Sequence, residues 1–189
     1  MYSAFFGKRD PITKLSLLRA YCSSFYGSVI WDLSHSSIDA FCAIWRKGLR
    51  RVWNLPHNTH CELLPLLCGL LPLMDELTRR CAAFINGCLD SDCDVVDFVT
   101  RHGVYFRRML SPIGRNSLFC CRHFGIRLSD IASINKSFVW AHYQSQLTES
   151  LRRAVLILLE LLFAKLGYFS ISCLSHADLT HAVDFICTS

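Results

Sequence analysis

Apolar residues recur at Ile38, Phe41, Trp45, Leu49 and Val52, a spacing that predicts an amphipathic helix. Wound at about 100° per residue, these five share one face. Arg46, Lys47, Arg50 and Arg51 share the opposite one. Ser37 is placed to cap this helix. The same periodicity appears upstream. Asp10-Pro11 is a helix start, a capping carboxylate followed by proline at the first helical position. Ile12, Leu15, Leu18, Cys22, Phe25 and Val29 carry the pattern on towards Trp31.

Downstream, Leu55-Pro56-His57-Asn58 breaks the chain, and Thr59 to Glu62 has the pattern of a capping box opening a short helix. Leu71-Pro72 starts another helix, with Leu77, Cys81, Phe84, Ile85 and Cys88 on one face. Ser91 to Asp94 opens a helix carrying Val95, Val96 and Val99, expected to end near Gly103. Residues 104–136 are less regular. Ser111-Pro112-Ile113-Gly114 has turn chemistry, and Leu118 to Cys121 fits a strand or a helical turn. A long helix is expected over 137–166, with Leu147, Leu151, Val155, Leu158 and Leu162 on one face and Gly167 as its terminator. Ser175, Asp178, Leu174 and Leu179 form a last helix-start signal. The expected fold is therefore all-α, an irregular bundle of about six to eight helices. Two regions are expected: residues 1–90 with the basic helix, and residues 91–189 as a helical extension.

Charge sharpens the picture. The 189 residues carry a formal net charge of +5. Lys8, Arg9, Lys14, Arg19, Arg46, Lys47, Arg50 and Arg51 face only Asp10, Asp32 and Asp39 in the first 56 residues. The rest of the chain is balanced, so the excess marks where a polyanion would dock. Arg101, Arg107, Arg108, Arg115, Arg122 and Arg127 form a second stretch free of acids, preceded by Asp90, Asp92, Asp94 and Asp97. Arg79 and Arg80 are weaker candidates. Of Trp31, Trp45 and Trp53, Trp45 belongs to the apolar face, and Trp53 is the better placed to stack on a base.

An apolar fraction of 52% is enough for a substantial core and excludes a disordered composition. Eleven cysteines are an odd number in a long chain with no secretory signal. They point to small buried thiols in a reducing, intracellular protein. The most apolar run, residues 154–164, contains Glu160 and is shorter than the roughly 20 residues a bilayer requires. No membrane span is expected. The sequence has no phosphate-cradling glycine loop and no Ser-His-Asp pattern. Cys120, Cys121 and His123, and likewise His57, His60 and Cys61, are metal-ligand types without a second pair at zinc-finger spacing. No catalytic residue, metal or cofactor is expected.

One resemblance adds to this. Ala20-Tyr21-Cys22-Ser-Ser-Phe25-Tyr26-Gly27-Ser28-Val-Ile-Trp31 resembles the segment that follows the polymerase palm in LINE-type (non-LTR) retrotransposon reverse transcriptases. So does Trp45-Arg46-Lys47-Gly-Leu-Arg50-Arg51-Val-Trp53-Asn-Leu55-Pro56, followed by Thr59-His60 and Leu63-Leu64-Pro65. Leu71-Pro72, Leu77, Arg79-Arg80 and Ser111-Pro112-Ile-Gly114-Arg115-Asn116 resemble later parts of that reading frame, and Asp184 to Ser189 its end. The ordered series covers nearly the whole chain.

The resemblance implies a helical thumb over about 10–90 that grips the template–primer backbone, with a carboxy-terminal extension beyond it. It also implies a limit. Polymerisation in that family needs metal-binding palm aspartates, and this sequence has no adjacent Asp pair. The endonuclease domain is equally unmatched. The expected function is a non-catalytic remnant that binds nucleic-acid backbone through Arg46, Lys47, Arg50 and Arg51. A helical protein–protein module is a rival reading, and an unstable fragment deprived of its palm is a third.

Overall fold

The chain is all-α. The computed structural model describes residues 10–165 except Ser23, Asn58, His60 and Arg108, with side chains as far as Ala154. Gly167, the start signal at Leu174 to Leu179, Asp184 to Ser189 and the side chains of Val155, Leu158 and Leu162 lie outside the described residues. Among the described residues there is no strand. The helices are α1 (Pro11–Cys22), α2 (Ser36–Val52), α3 (Leu63–Leu67), α4 (Leu73–Leu89), α5 (Asp94–Arg101), α6 (Pro112–Phe124) and α7 (Lys136–Lys165). Short 3-10 turns lie at Ser28–Ile30 and Leu128–Ser133, and a π-helical turn at His102–Phe106.

Two compact units divide the chain, one ending at Trp140 and the other beginning at Ala141. In the first, α4 is the central helix. It packs against α2, α5 and α6 and both 3-10 turns. Leu77, Thr78, Ala82 and Ile85 on α4 are fully enclosed. Residue 90, the division expected from sequence, falls between α4 and α5 inside this unit. The part of α7 beyond residue 140 carries local pairs such as Arg153–Glu149 at 3.0 Å.

Several helices begin as their residues dictate. The Asp10 carboxylate accepts from the Ile12 N–H at 3.0 Å and Pro11 opens α1. Helix α2 buries Ile38, Trp45, Leu49 and Val52, with Cys42 beside them and Phe41 half-buried. Leu118 to Cys121 resolve as helix, within α6.

Other local expectations change. Helix α1 stops at Cys22 rather than running towards Trp31. Phe25 (φ 40) and Gly27 (φ 73) take left-handed backbone, which ends a right-handed helix. Its inward face also differs: Lys14 and Leu18 are buried, and Ile12 is exposed. His35, not Ser37, caps α2, its Nδ1 accepting from the Ser37 N–H at 3.2 Å. The capping box before α3 does not form. The Thr59 hydroxyl donates instead to the Pro56 carbonyl at 2.8 Å, and Glu62 precedes the helix without a side-chain cap.

Ser111-Pro112 starts α6 rather than making a turn. The Ser111 hydroxyl accepts from the Gly114 N–H at 2.9 Å and donates to the Gly103 carbonyl at 3.0 Å. Helix α5 ends at Arg101, near Gly103 as expected, and Gly103 itself lies in the π-helical turn as a point of close approach. A Cβ there would lie 2.7 Å from Ile113 Cγ2 and 3.0 Å from Ser111 Oγ.

A buried amide ties α6 to the segment before α2. Asn116 accepts from the Leu33 N–H at 3.1 Å and donates to the Trp31 carbonyl at 2.7 Å. Asn116→Ala is expected to strip both backbone groups of their partner. The loss is about 2–6 kcal/mol, from one to three for each of the two groups left unpaired. Chemical denaturation measures it, and a loss under about 0.5 kcal/mol would show that neither bond matters.

Candidate nucleic-acid interface

Helix α2 places its cations as the sequence spacing requires, but uses them differently. Its apolar face is sunk into the core, so residues 46, 47, 50 and 51 turn away from it. Lys47 and Arg51 are exposed and Arg46 is half-buried. Among the described residues none of the three pairs with an acid. Arg46 and Arg51 stand about 7.5 Å apart along the axis at 1.5 Å per residue. Measured along a duplex axis, that is about two charges of one B-DNA strand, at about 3.4 Å of axis each.

Arg50 has another occupation. Its Nη2 donates to the Thr59 carbonyl at 3.1 Å and to Cys61 Sγ at 3.0 Å, pinning the loop after α2. Its Nε is enclosed without a partner among the described residues. Trp53 is equally committed. Its indole N–H donates to Cys68 Sγ at 3.2 Å and its ring packs on the core, so it is no free stacking platform. Trp31 is half-buried against Phe41, ring centroids 5.6 Å apart.

Arg79 and Arg80 leave the α2 face altogether and converge on Glu76. Arg79 grips it with two bonds, Nε at 3.0 Å and Nη2 at 2.8 Å, and Arg80 Nε donates at 2.7 Å. Burial pushes the Glu76 carboxyl up, but these bonds and the two positive charges hold it below the usual range. Arg79 is raised in turn, first by its hydrogen bond to Glu76. Arg80 also donates to the Ser24 carbonyl at 2.7 Å and lies over the Phe25 ring at 5.4 Å. These two guanidiniums line a cleft instead of the basic face.

The second arginine stretch is partly neutralised. Arg101 pairs with Asp97 at 2.6 Å and Arg115 with Asp32 at 3.2 Å. Arg107, Arg122 and Arg127 are exposed, and Arg108 lies outside the described residues. The cysteines that are described carry free thiols. Burial pushes the Cys42 thiol up, and a hydrogen bond with Cys81 together with burial does the same to Cys120, so both stay neutral and pack as apolar groups. No three His, Cys, Asp or Glu among the described residues come together as a metal set. No helix among them is long and apolar enough to cross a membrane.

The sequence reading missed one polar pair. Asp75 is buried on the first turn of α4, and its Oδ1 meets His123 Nε2 of α6 at 2.7 Å. The two residues are 48 positions apart, and no local spacing signals their meeting.

The chain matches no protein family model, no curated protein and no solved structure.

Proposed function

We propose that this chain is a non-catalytic, helical remnant of a LINE-type reverse transcriptase that binds nucleic-acid backbone along the outer face of α2. The observation that carries the reading is the outward trio Arg46, Lys47 and Arg51, unpaired among the described residues, on a helix whose other face is locked into the core. Unpaired cations on a rigid element meet phosphates without reading sequence. Arg50 supports the face by fixing the loop beside it and is not itself a phosphate contact. The absence of an adjacent Asp pair in the sequence argues against two-metal phosphoryl transfer.

Filter binding or anisotropy across a salt series tests this. Arg46→Gln, Lys47→Gln and Arg51→Gln together are expected to flatten the log–log salt slope by about 2.7 on mixed-sequence duplexes, at about 0.9 per contact. Helix content should stay, because Gln is nearly as good a helix former as Arg or Lys. Arg50→Gln is expected to loosen the loop and leave the slope alone. A folded triple variant with unchanged slope would return the face to ordinary surface charge.

A second reading, the helical protein–protein module, has its own observation. On α5 and the turn after it, Val95, Phe98, Val99 and Phe106 point outward, with Met109 and Leu110 exposed nearby. Exposed large apolar side chains concentrated in one segment suit protein contact. That reading gives no duplex binding at any salt concentration in the same titration.

A further inference from the structure

Helices α1, α2, α4 and the start of α7 enclose a cleft of about 220 Å³ beside the core. Four cations line it, Arg19, Arg79, Arg80 and Lys136, against the single acid Glu76. The remaining wall is aromatic and aliphatic, including Trp45, Trp140 and Phe25.

Glu76 aims its arginines more than it neutralises them. It fixes the Arg79 fork through Nε and Nη2, which leaves Arg79 Nη1 without a bond to any described residue. Arg19 is anchored in the same way. Its Nη2 donates to the Cys68 carbonyl at 2.5 Å and to the Gly69 carbonyl at 3.3 Å, and its other nitrogens are unbonded among the described residues. Lys136 is the first residue of α7, where the positive end of the helix dipole repels a cation and attracts an anion. Trp45 is nine-tenths buried, and its indole N–H has no acceptor among the described residues. The cleft thus holds three positive charges more than negative ones, with Arg79 and Arg80 half-buried, Arg19 and Lys136 exposed, and the guanidinium donors already oriented. Charge-assisted bonds to a planar, fixed guanidinium suit a tetrahedral oxyanion.

We propose that this cleft binds a terminal phosphate, the monoester group of a small phosphate ester or of a strand end. Its volume lies below the 300–1,000 Å³ of drug-sized pockets, so it takes the phosphate and little of the group esterified to it. The site does not rest on the α2 reading, because Arg46, Lys47 and Arg51 do not line it.

The full chain is titrated with inorganic phosphate and with AMP, followed by calorimetry and by the fluorescence of Trp45 and Trp140. Saturable binding with a fluorescence change is expected. Lys136→Gln should weaken it about fivefold and Arg79→Gln about tenfold, as the loss of an exposed and of a half-buried charged donor implies. Lys136 is exposed, so its variant keeps the test valid if Arg79→Gln disturbs Glu76 and the fold. Two oligonucleotides, one 5′-phosphorylated and one 5′-hydroxyl, separate the sources. Tighter binding of the phosphorylated strand assigns the cleft to a strand end, and equal binding of the two beside positive AMP binding assigns it to a small ester. No saturable phosphate binding at millimolar concentration overturns the proposal. So does binding that survives unchanged in both folded variants.

Discussion

Trp45→Ala is expected to destabilise the unit ending at Trp140 by about 3–4 kcal/mol, while Trp45→Phe should cost less than about 1 kcal/mol. Trp45 is 8% exposed and meets the Phe25 ring edge-on at 5.4 Å. It is the largest side chain on the inward face of α2. Truncation removes its buried area and leaves a cavity that the neighbouring helices fill only in part, the mechanism behind losses of 3–5 kcal/mol for buried aromatics. Phenylalanine keeps the ring contact. It also removes an enclosed N–H that has no acceptor, and relief of that unpaired donor offsets about 1–3 kcal/mol of the lost packing. Thermal melts separate the two substitutions clearly. At about 2–4 °C per kcal/mol for a chain of this size, alanine should lower Tm by about 6–16 °C and phenylalanine by a few degrees. Equal losses for both would mean that the indole N–H has a partner after all. A small loss for alanine would mean that α2 is not seated by this residue.

Periodicity located α2 because its signal is local. Five apolar positions at helical spacing need only a surface to bury against, and α4 supplies it. The same reasoning failed wherever a distant group decided the outcome. The Ser111-Pro112 pair looks alike in a turn and in a helix cap, and the Gly103 carbonyl that fixes Ser111 is eight residues away. Helix α5 shows strong periodicity, yet only Thr100 is buried, so amphipathicity predicted the helix and not which way it faces.

The candidate site divides along the same line. That Arg46, Lys47 and Arg51 project outward follows from the helix alone. That Arg50 and Trp53 are occupied follows from the loop and α3, which fold back at 9 to 15 residues' separation. Arg80 reaches Ser24 across 56 residues and Arg19 reaches Cys68 across 49. The phosphate cleft joins such distant pairs to the local Glu76–Arg79 and Glu76–Arg80 pairs, and a pass along the chain does not bring them together. Part of its charge is legible in the sequence, where Arg79 and Arg80 stand as weaker nucleic-acid candidates and Arg19 belongs to the basic excess of the first 56 residues.

His123→Ala is expected to cost about 3 kcal/mol, and Asp75→Asn in the same background should recover about half of it. The two side chains meet at 2.7 Å between α4 and α6, with Asp75 7% exposed and His123 24%. Asp75 Oδ2 is enclosed and has no partner among the described residues, so the carboxylate relies on the imidazole for support. Removing the imidazole leaves a buried anion unpaired, which costs about 3–5 kcal/mol in an enclosed site. The partial exposure of His123 admits water and places this pair at the lower end. The ring also stacks on Phe119 at 5.8 Å and meets Phe124 at 4.8 Å, so some of the loss is packing. The double variant separates these terms. Asn in place of Asp75 carries no charge to strand, so the double variant should be more stable than His123→Ala alone by about 1–2 kcal/mol. A coupling near zero in the double-mutant cycle would show that His123 acts only as an aromatic spacer. A coupling above about 1 kcal/mol would make the Asp75–His123 pair the polar lock between the central helix and α6.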